Sequence, residues 1–494
     1  MNIPDTFGWD TVFAISIDKV NEYLASAAPS DSFSAQQDVT GGIARVDWSF
    51  ENWRITDTPA GSKIEITLDF GPGSTLTRPD GGGTKTIELD SPEWSCVVIF
   101  EAHFDDTDPE TQRLVAKTAT GQPWASVRIE SSIPDTSTRI VLQSLLTRWF
   151  REAPEAVQLF EQEFATVNVG ELVAGEGLGW LTPQVVAFAG GVMADQVTKA
   201  LGILTMTGTD KAEAEARASQ ATLQLSPFAI PANATSGFIF SARVFLLHML
   251  MPACAGTFGG DEKNPTKHLE IYGDGTPQLR NHTALAFKEE VDGAQRDAHI
   301  KAEGLNFSFE GERLRMRIAQ NVGTSFPGYS LDAKIEEAYV AVLMDKPEAT
   351  GETVFLLAND GYRAPEIDVV REPWVTGLQL AGDIAALLLA SLAAAFMPKS
   401  KWLKKTLKLS SKGAKILSKI IGGVIAAVVL GLLANIPSYI ESALQGEVHR
   451  FPDFGKFLNK AYLDRIGWPG RAKVQFTPTA VRFANGLQIA IEPA

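Results

Sequence analysis

"WDTVFAISIDKVNEYLASAA", residues 9–28, places Phe13, Ile17, Val20, Leu24 and Ala27 at i, i+4, i+7, i+11 and i+14. That spacing draws an apolar stripe down one side of an α-helix, so the pattern predicts a helix from about Trp9 to Ala28, ended by Pro29 and Ser30. The period then changes. In "KIEITLDF" (63–70), Ile64, Ile66, Leu68 and Phe70 share one side while Lys63, Glu65, Thr67 and Asp69 share the other, which marks a half-buried antiparallel strand. Similar alternation runs through "IARVDWSF", "SCVVIFEAHF", "ASVRIESS", "GLNFSFEGERLRMRIAQ", "AYVAVLM", "TVFLLA", "AKVQFTP" and "LQIAIEPA". "PDGGG" (79–83), "SFEGERL" and "FANGLQI" supply the glycine that a tight hairpin turn requires.

Between about 138 and 255 the pattern becomes helical. "RIVLQSLLTRWFREAPEAVQLFEQEF", "QVVAFAGGVMADQVTKALGIL" and "SGFIFSARVFLLHMLMP" are long and apolar, interrupted by the polar, alanine-rich "GTDKAEAEARASQ". Strands and helices do not alternate regularly, so the expected class is α+β, with blocks of antiparallel sheet and segregated helices. Five segments are expected: an N-terminal helix plus antiparallel sheet (1–137), an apolar helical region (138–265), a second antiparallel sheet region (266–377), an apolar and basic helical hairpin (378–445), and C-terminal strands completing the sheet (446–494).

The hairpin has an unusual charge pattern. From Ile384 to Ile440 there is no Asp or Glu, while Lys401, Lys404, Lys408, Lys412, Lys415 and Lys419 recur at steps of three or four, the spacing of one helical stripe. The flanking runs "IAALLLASLAAAFM" (384–397) and "IIGGVIAAVVLGLLANI" (420–436) are shorter than the ~20 apolar residues that a spanning helix needs. Their alanines and glycines allow two helices to approach closely, so the simplest arrangement is an antiparallel hairpin that hides both apolar faces. Lys401, Trp402, Lys404, Lys408, Lys412, Lys415 and Lys419 are the candidates for contact with an anionic membrane surface; a merely solvated lysine face is the competing explanation.

The rest of the composition limits function. A chain of 494 residues with 45% hydrophobic content can bury one large core or two to three ordinary ones. A formal charge of −15 argues against nucleic acid as a partner, since phosphate binding draws on clustered cations. Cys96 and Cys254 each sit in an apolar run and are expected as buried reduced thiols. "MNIPDTFGWD" has neither a basic n-region nor a long apolar h-region, so a cytoplasmic location, or release without a classical signal peptide, is expected.

Catalytic signatures are missing. The six histidines include no metal-binding pair at i, i+4, and no Cys-x-x-Cys, phosphate loop or Gly-x-Ser-x-Gly elbow occurs. "GEGLGW" (175–180) lacks the full dinucleotide fingerprint, and the acidic "HFDDTDPE" lacks the glycine and terminal glutamate of a calcium loop. No catalytic residue, metal ligand or cofactor is therefore assigned, and the expectation is a protein that is not an enzyme.

"FGWDTVFAISIDKVNEYLA", with Gly8, Trp9, Asp10, Val12 and Phe13 followed by Val20, Asn21 and Leu24, resembles the N-terminal signature of the clostridial neurotoxin-cluster accessory proteins, the OrfX group and its relatives. Beyond that helix the resemblance rests on the order of elements over most of the chain. It implies a tubular lipid-binding (TULIP) fold, in which long helices pack against a strongly curved antiparallel sheet and the groove between them can hold lipid. A groove of that kind is apolar unless large side chains fill it, and burying acyl carbon in it stabilises by about 0.8 kcal/mol per CH₂.

Phe13, Ile17, Val20 and Leu24 are the candidates for one groove wall and Ile64, Ile66, Leu68 and Phe70 for the other; simple core packing would use the same residues. The expected function is non-enzymatic lipid binding by an accessory component of a bacterial toxin cluster. Expected partners are lipid or another long apolar ligand, an anionic membrane surface bound peripherally, and toxin-complex proteins. Two alternatives stay open: a membrane-inserting, pore-forming-like protein acting through 378–445, and a protein scaffold whose groove is filled.

Overall fold

The computed structural model describes residues 3–25, 31–58, 61–118, 123–160, 163–170, 179–257, 264–273, 276–291, 294–323, 329–345, 353–362, 366–371, 458–459, 463–469 and 474–493. Two compact units divide the chain: Asn2–Ser241 with Gly455–Ala480 and Gln488–Ala494, and Ala242–Phe454 with Val481–Leu487. The hairpin expected over 378–445, with its lysine stripe and Trp402, lies outside the described residues.

The opening stretch is not one helix. Thr11–Ser16 forms a strand, β1, and the helix α1 covers only Ile17–Leu24. All six residues of β1 are buried, so it shows no alternation, and Phe13 falls on the helical stripe of Ile17, Val20 and Leu24 by coincidence of spacing. Ser16 makes the switch. Its backbone is extended (φ −63, ψ 141) and its hydroxyl accepts the N–H of Lys19 at 3.4 Å, capping α1.

An antiparallel sheet follows: β2 (Ser32–Val39), β3 (Gly42–Asp57), β4 (Lys63–Phe70), β5 (Thr75–Asp80), β6 (Gly83–Glu88), β7 (Trp94–Asp105), β8 (Thr111–Ala116) and β9 (Ala125–Ser131). As its alternation requires, β4 buries Ile64, Ile66, Leu68 and Phe70. Gly81 (φ +56) and Gly82 (φ +94) close the β5–β6 turn in a left-handed conformation that other residues resist. Next come α2 (Thr136–Glu152), α3 (Pro154–Phe160) and β10 (Ala165–Asn168), which pairs with β8. Ala153, extended at ψ 126 before Pro154, separates the two helices.

The sheet curls strongly into a half-barrel, and α2 lies within the curl. Across β9-β7-β4-β3-β2, four strand spacings would separate the outer pair by roughly 19 Å if the sheet were flat. Yet adjacent residues of one α2 turn reach both flanks: Trp149 meets Phe33 of β2 at 4.9 Å, and Phe150 meets Trp124, just before β9, at 5.9 Å.

The stretch 138–265, expected to be helical, also carries strands. β11 (Pro183–Val192) and β12 (Lys199–Thr207) replace most of one expected helix, and β13 (Ser236–Ser241) replaces only the start of another, whose remainder is helical. Eight consecutive residues of β12 are buried, so both faces are apolar and the period-two signal vanishes. Conversely, the polar "GTDKAEAEARASQ" contains a helix, α4 (Lys211–Ala218), capped by the Asp210 carboxylate. Helices are few among the described residues and α2, at 17 residues, is the longest, so the expectation of long helices against the sheet is corrected to a β-rich fold.

In the second unit, a helical segment over 242–257 precedes β14 (Leu269–Tyr272), β15 (Gln278–Asn281), β16 (Leu285–Val291), β17 (Ala294–Glu310), β18 (Arg313–Gly323), β19 (Tyr329–Asp345), β20 (Thr353–Tyr362) and β21 (Glu366–Arg371). They form an antiparallel sheet ordered β14-β15-β17-β18-β19-β20, with β16 on β17 and β21 on β19. One face buries Leu305, Phe307, Leu314, Met316 and Ile318; on the other, Arg315 and Arg317 of β18 pair with Glu336 of β19. Glu337, 2% exposed and opposite Met316, is a carboxyl group on the apolar face.

Three strands near the C-terminus complete the sheets. β22 (Ile466–Gly467) extends the curled sheet beyond β10. β23 (Phe476–Phe483) and β24 (Gly486–Pro493) complete a six-stranded sheet ordered β11-β12-β1-β13-β24-β23.

Candidate functional site

The half-barrel interior is the place to look for a ligand, because one of the two expected groove walls, the buried face of β4, lines it. β4 presents Ile64, Ile66, Leu68 and Phe70 there, and each is at most 2% exposed. Their cross-strand partners show what faces them. Ile64 is opposite Phe100 and Leu68 is opposite Trp53, and both of those rings meet Phe160 of α3, at 5.1 and 5.4 Å. Phe160 also contacts Phe150 at 5.7 Å and Trp124 at 5.4 Å. Trp149 closes the neighbouring stretch by an edge contact with Trp48 at 5.1 Å. Side chains of α2 and α3 therefore fill the space in front of β4. Aromatic pairs at these separations are favourable, by about 0.5–1.5 kcal/mol each beyond their buried area.

The other expected wall lies elsewhere. Phe13 belongs to β1 and packs on Trp468 at 6.4 Å and Phe476 at 5.5 Å. Ile17, Val20 and Leu24 of α1 are 4%, 0% and 3% exposed, and α1 packs on β3, β1 and β12. All eight candidates are core residues: four lie on β4, one on β1 and three on α1.

Polar groups in the interior are few. The indole N–H groups of Trp53 and Trp124 are buried and find no acceptor among the described residues. Burial pushes the Cys96 thiol far above its ordinary pKa, which keeps it protonated and unreactive. Among the described residues no group of three or more His, Cys, Asp or Glu could hold a metal ion. No described helix is long and apolar enough to cross a membrane.

The N-terminal signature residues have structural positions that sequence alone did not disclose. Gly8, at φ +93, lets the chain pass Ala221, and the Trp9 indole donates to the Thr222 carbonyl at 2.9 Å. Asp10 is 3% exposed; it accepts from Arg217 at 2.7 Å and from the Thr207 N–H at 2.9 Å. Asn21 clamps α1 to β3 with two bonds to the backbone of Ile55, donating to its carbonyl at 3.0 Å and accepting its N–H at 2.8 Å. Arg217 and Thr207 lie about 200 residues from Asp10, and no local pattern marks them as its partners. Val12 joins the core beneath the same segment.

Comparison with known proteins fits this architecture. The family described as "OrfX-like: Protein OrfX2/OrfX3/P47" matches residues 6–490. Protein OrfX3 of Clostridium botulinum (strain Kyoto / Type A2) is 24% identical over 283 residues, 52% of this chain; the match spans 56% of that relative's length. The fold is that of P47 from C. botulinum A2, with a TM-score of 0.63 and 16% identity over 99% of this chain and 98% of that one. P47 of C. botulinum E1 gives a TM-score of 0.60 at 12% identity, covering 98% of each chain. With the match running through nearly its whole length, the chain belongs to the OrfX-like family, a group of toxin-cluster-associated proteins.

Proposed function

We propose that the protein is a non-enzymatic accessory component of a bacterial toxin cluster that acts as a scaffold for other proteins of the toxin complex, with its half-barrel filled by its own side chains. The observation that carries this reading is the packing of Phe160, Phe150, Trp149 and Trp124 into the space in front of β4, where a TULIP-type ligand would lie. A bound acyl chain would have to displace these rings, at the expense of their mutual contacts. Native mass spectrometry of the protein, purified alone and with the proteins encoded beside it, tests the reading. The expected result is the bare protein mass in one sample and a stoichiometric complex in the other. Recovery of a lipid adduct with no protein partner would sink it.

A second reading, TULIP-type lipid binding, is supported by the buried indole N–H groups of Trp53 and Trp124. Donors without acceptors in an apolar interior suit the ester or carboxylate oxygens at the head of an acyl chain. Either binder works in the cytoplasm or after release without a classical signal, and the lysine stripe between Lys401 and Lys419 would hold it peripherally on anionic lipid. Reversing Lys404, Lys408, Lys412 and Lys415 to Glu is expected to abolish co-sedimentation with vesicles of phosphatidylserine and phosphatidylcholine. Unchanged sedimentation would remove the stripe's docking role, and leakage from those vesicles would favour the membrane-inserting alternative.

A further inference from the structure

Among the described residues, one flank of the half-barrel ends in a strand with a neighbour on one side only. β2 and β3 are joined by the two-residue turn Thr40–Gly41, with Gly41 at φ +94, and their pairing runs unbroken from Val39↔Gly42 to Ser32↔Ser49. In a two-residue hairpin the pair flanking the turn exchanges hydrogen bonds, and such pairs then alternate with non-bonded ones. Val39, Gln37, Ala35 and Phe33 therefore use their backbone groups on β3. Ser32, Ser34, Gln36 and Asp38 turn theirs away from it. These four are the exposed residues of the strand, and β3 is the only strand paired with β2 among the described residues.

Sheet edges normally carry devices that discourage further pairing: lysine or other charges, proline, bulges or a covered backbone. Other edges here have them. Lys85 sits on β6, Arg128 on β9 and Pro478 in β23, while the Gly190 N–H of β11 is taken by the Gly61 carbonyl. β2 has no lysine, arginine, proline or bulge, and its one charge, Asp38, stands beside the turn. A shelf borders this edge. Ser144 of α2 bonds to Gln37 at 3.2 Å, and one turn earlier Ile140 leaves 61% of its surface exposed.

We infer that β2 is an acceptor edge for strand addition, taking an extended, neutral or basic segment of a partner polypeptide with an apolar side chain directed toward Ile140. The inference rests on the scaffold reading and names the kind of partner it would hold. Main-chain bonds to Ser32, Ser34, Gln36 and Asp38 would give affinity, and the shelf would give register. Charge decides against a second copy of the chain: each carries a formal −15, and an eight-residue edge is too small to offset their repulsion.

The probe is a fluorescein-labelled peptide of alternating valine and threonine with lysine at both ends, followed by anisotropy and by amide hydrogen exchange. Wild-type protein is expected to bind it and to protect the amides of Ser34 and Gln36, while an otherwise identical peptide with proline at alternate positions stays free. Gln36→Pro removes one outward N–H without touching the β3 ladder, and is expected to weaken binding roughly tenfold or more with an unchanged melting temperature. Should that variant fold poorly, Ser34→Lys with Gln36→Lys makes the same comparison. No binding at about 1 mM peptide, a value at the weak end of measurable affinity, would overturn the inference. So would binding indifferent to both variants, or a peptide-free dimer that Gln36→Pro dissolves, which would assign the edge to a second copy. If the peptide fails while a stoichiometric complex with neighbouring toxin-cluster proteins survives, the edge inference falls and the scaffold reading stands.

Discussion

Asp10 is a charge held where water hardly reaches, and its partners come from far along the chain. With Arg217 and the Thr207 N–H both on it, the carboxylate is compensated; with Arg217 removed it is not. Breaking a buried pair from one side costs about 3–5 kcal/mol, whereas replacing both members costs much less. Arg217→Met is therefore expected to lower the unfolding free energy by about that amount in urea titrations, and Asp10→Asn combined with Arg217→Met to cost less than the sum of the single changes. Strict additivity would show that the pair is not coupled. Glu337 has the opposite sign. Burial pushes its carboxyl above the ordinary range, while the hydrogen bond from the Tyr339 hydroxyl pulls the other way and is the smaller effect. A raised folded-state value gives stability below the unfolded pKa and withdraws it as pH rises through the folded one. Glu337→Gln should thus melt at higher temperature than wild type near pH 7, with the gap closing near pH 4. A gap that widens toward acid would contradict this assignment.

α2 is the element on which the half-barrel depends, and its start is held by one side chain. The Asp135 carboxylate accepts from the Thr138 N–H at 3.0 Å, the Thr138 hydroxyl at 2.7 Å and the Ser137 hydroxyl at 2.8 Å, which, with Lys85 nearby, holds its pKa far below the usual carboxylate range. That stabilisation is present above the unfolded pKa near 4 and is lost as pH falls through the folded value. Asp135→Ala is expected to destabilise by about 1–2 kcal/mol at pH 7, with the difference shrinking in strong acid; a loss independent of pH would point to packing rather than capping. The helical stripe of α2 was legible because only one side of it is buried, as Leu142, Leu145, Leu146 and Trp149 are while Arg148 is exposed. The alternation of β4 was legible for the same reason. β1 and β12 were not, since burial on both faces erases the period that distinguishes strand from helix. The signature at Trp9, Asp10 and Asn21 was visible as a resemblance, but its work of tying β1 and α1 to Thr222, Arg217 and Ile55 depends on contacts that no local spacing encodes.

At the scale of the molecule, two ways of completing a curled sheet compete: a bound apolar ligand, or the chain's own aromatic side chains. The groove candidates are buried, yet a sequence does not say whether a buried apolar surface faces cargo or another part of the protein; in the filled reading proposed above, Phe160 and Trp149 stand where cargo would lie. The two outcomes differ in how the protein answers to a cavity. Trp149 is 7% exposed and touches Phe33, Trp48 and Phe150, so Trp149→Ala should cost about 3–5 kcal/mol and leave an apolar space lined by aromatic rings. Spaces of that kind stay dry and accept small aromatic molecules. Because a ligand that binds only the folded state stabilises it by RT ln(1 + [L]/Kd), added indole should raise the melting temperature of Trp149→Ala and leave wild type unmoved. In the filled reading, a long-chain fatty acid should likewise leave wild type unmoved. If wild type instead gains stability with fatty acid, and Trp149→Ala gains no more, the interior admits an acyl chain alongside the indole ring, and the filled half-barrel gives way to the lipid-binding one.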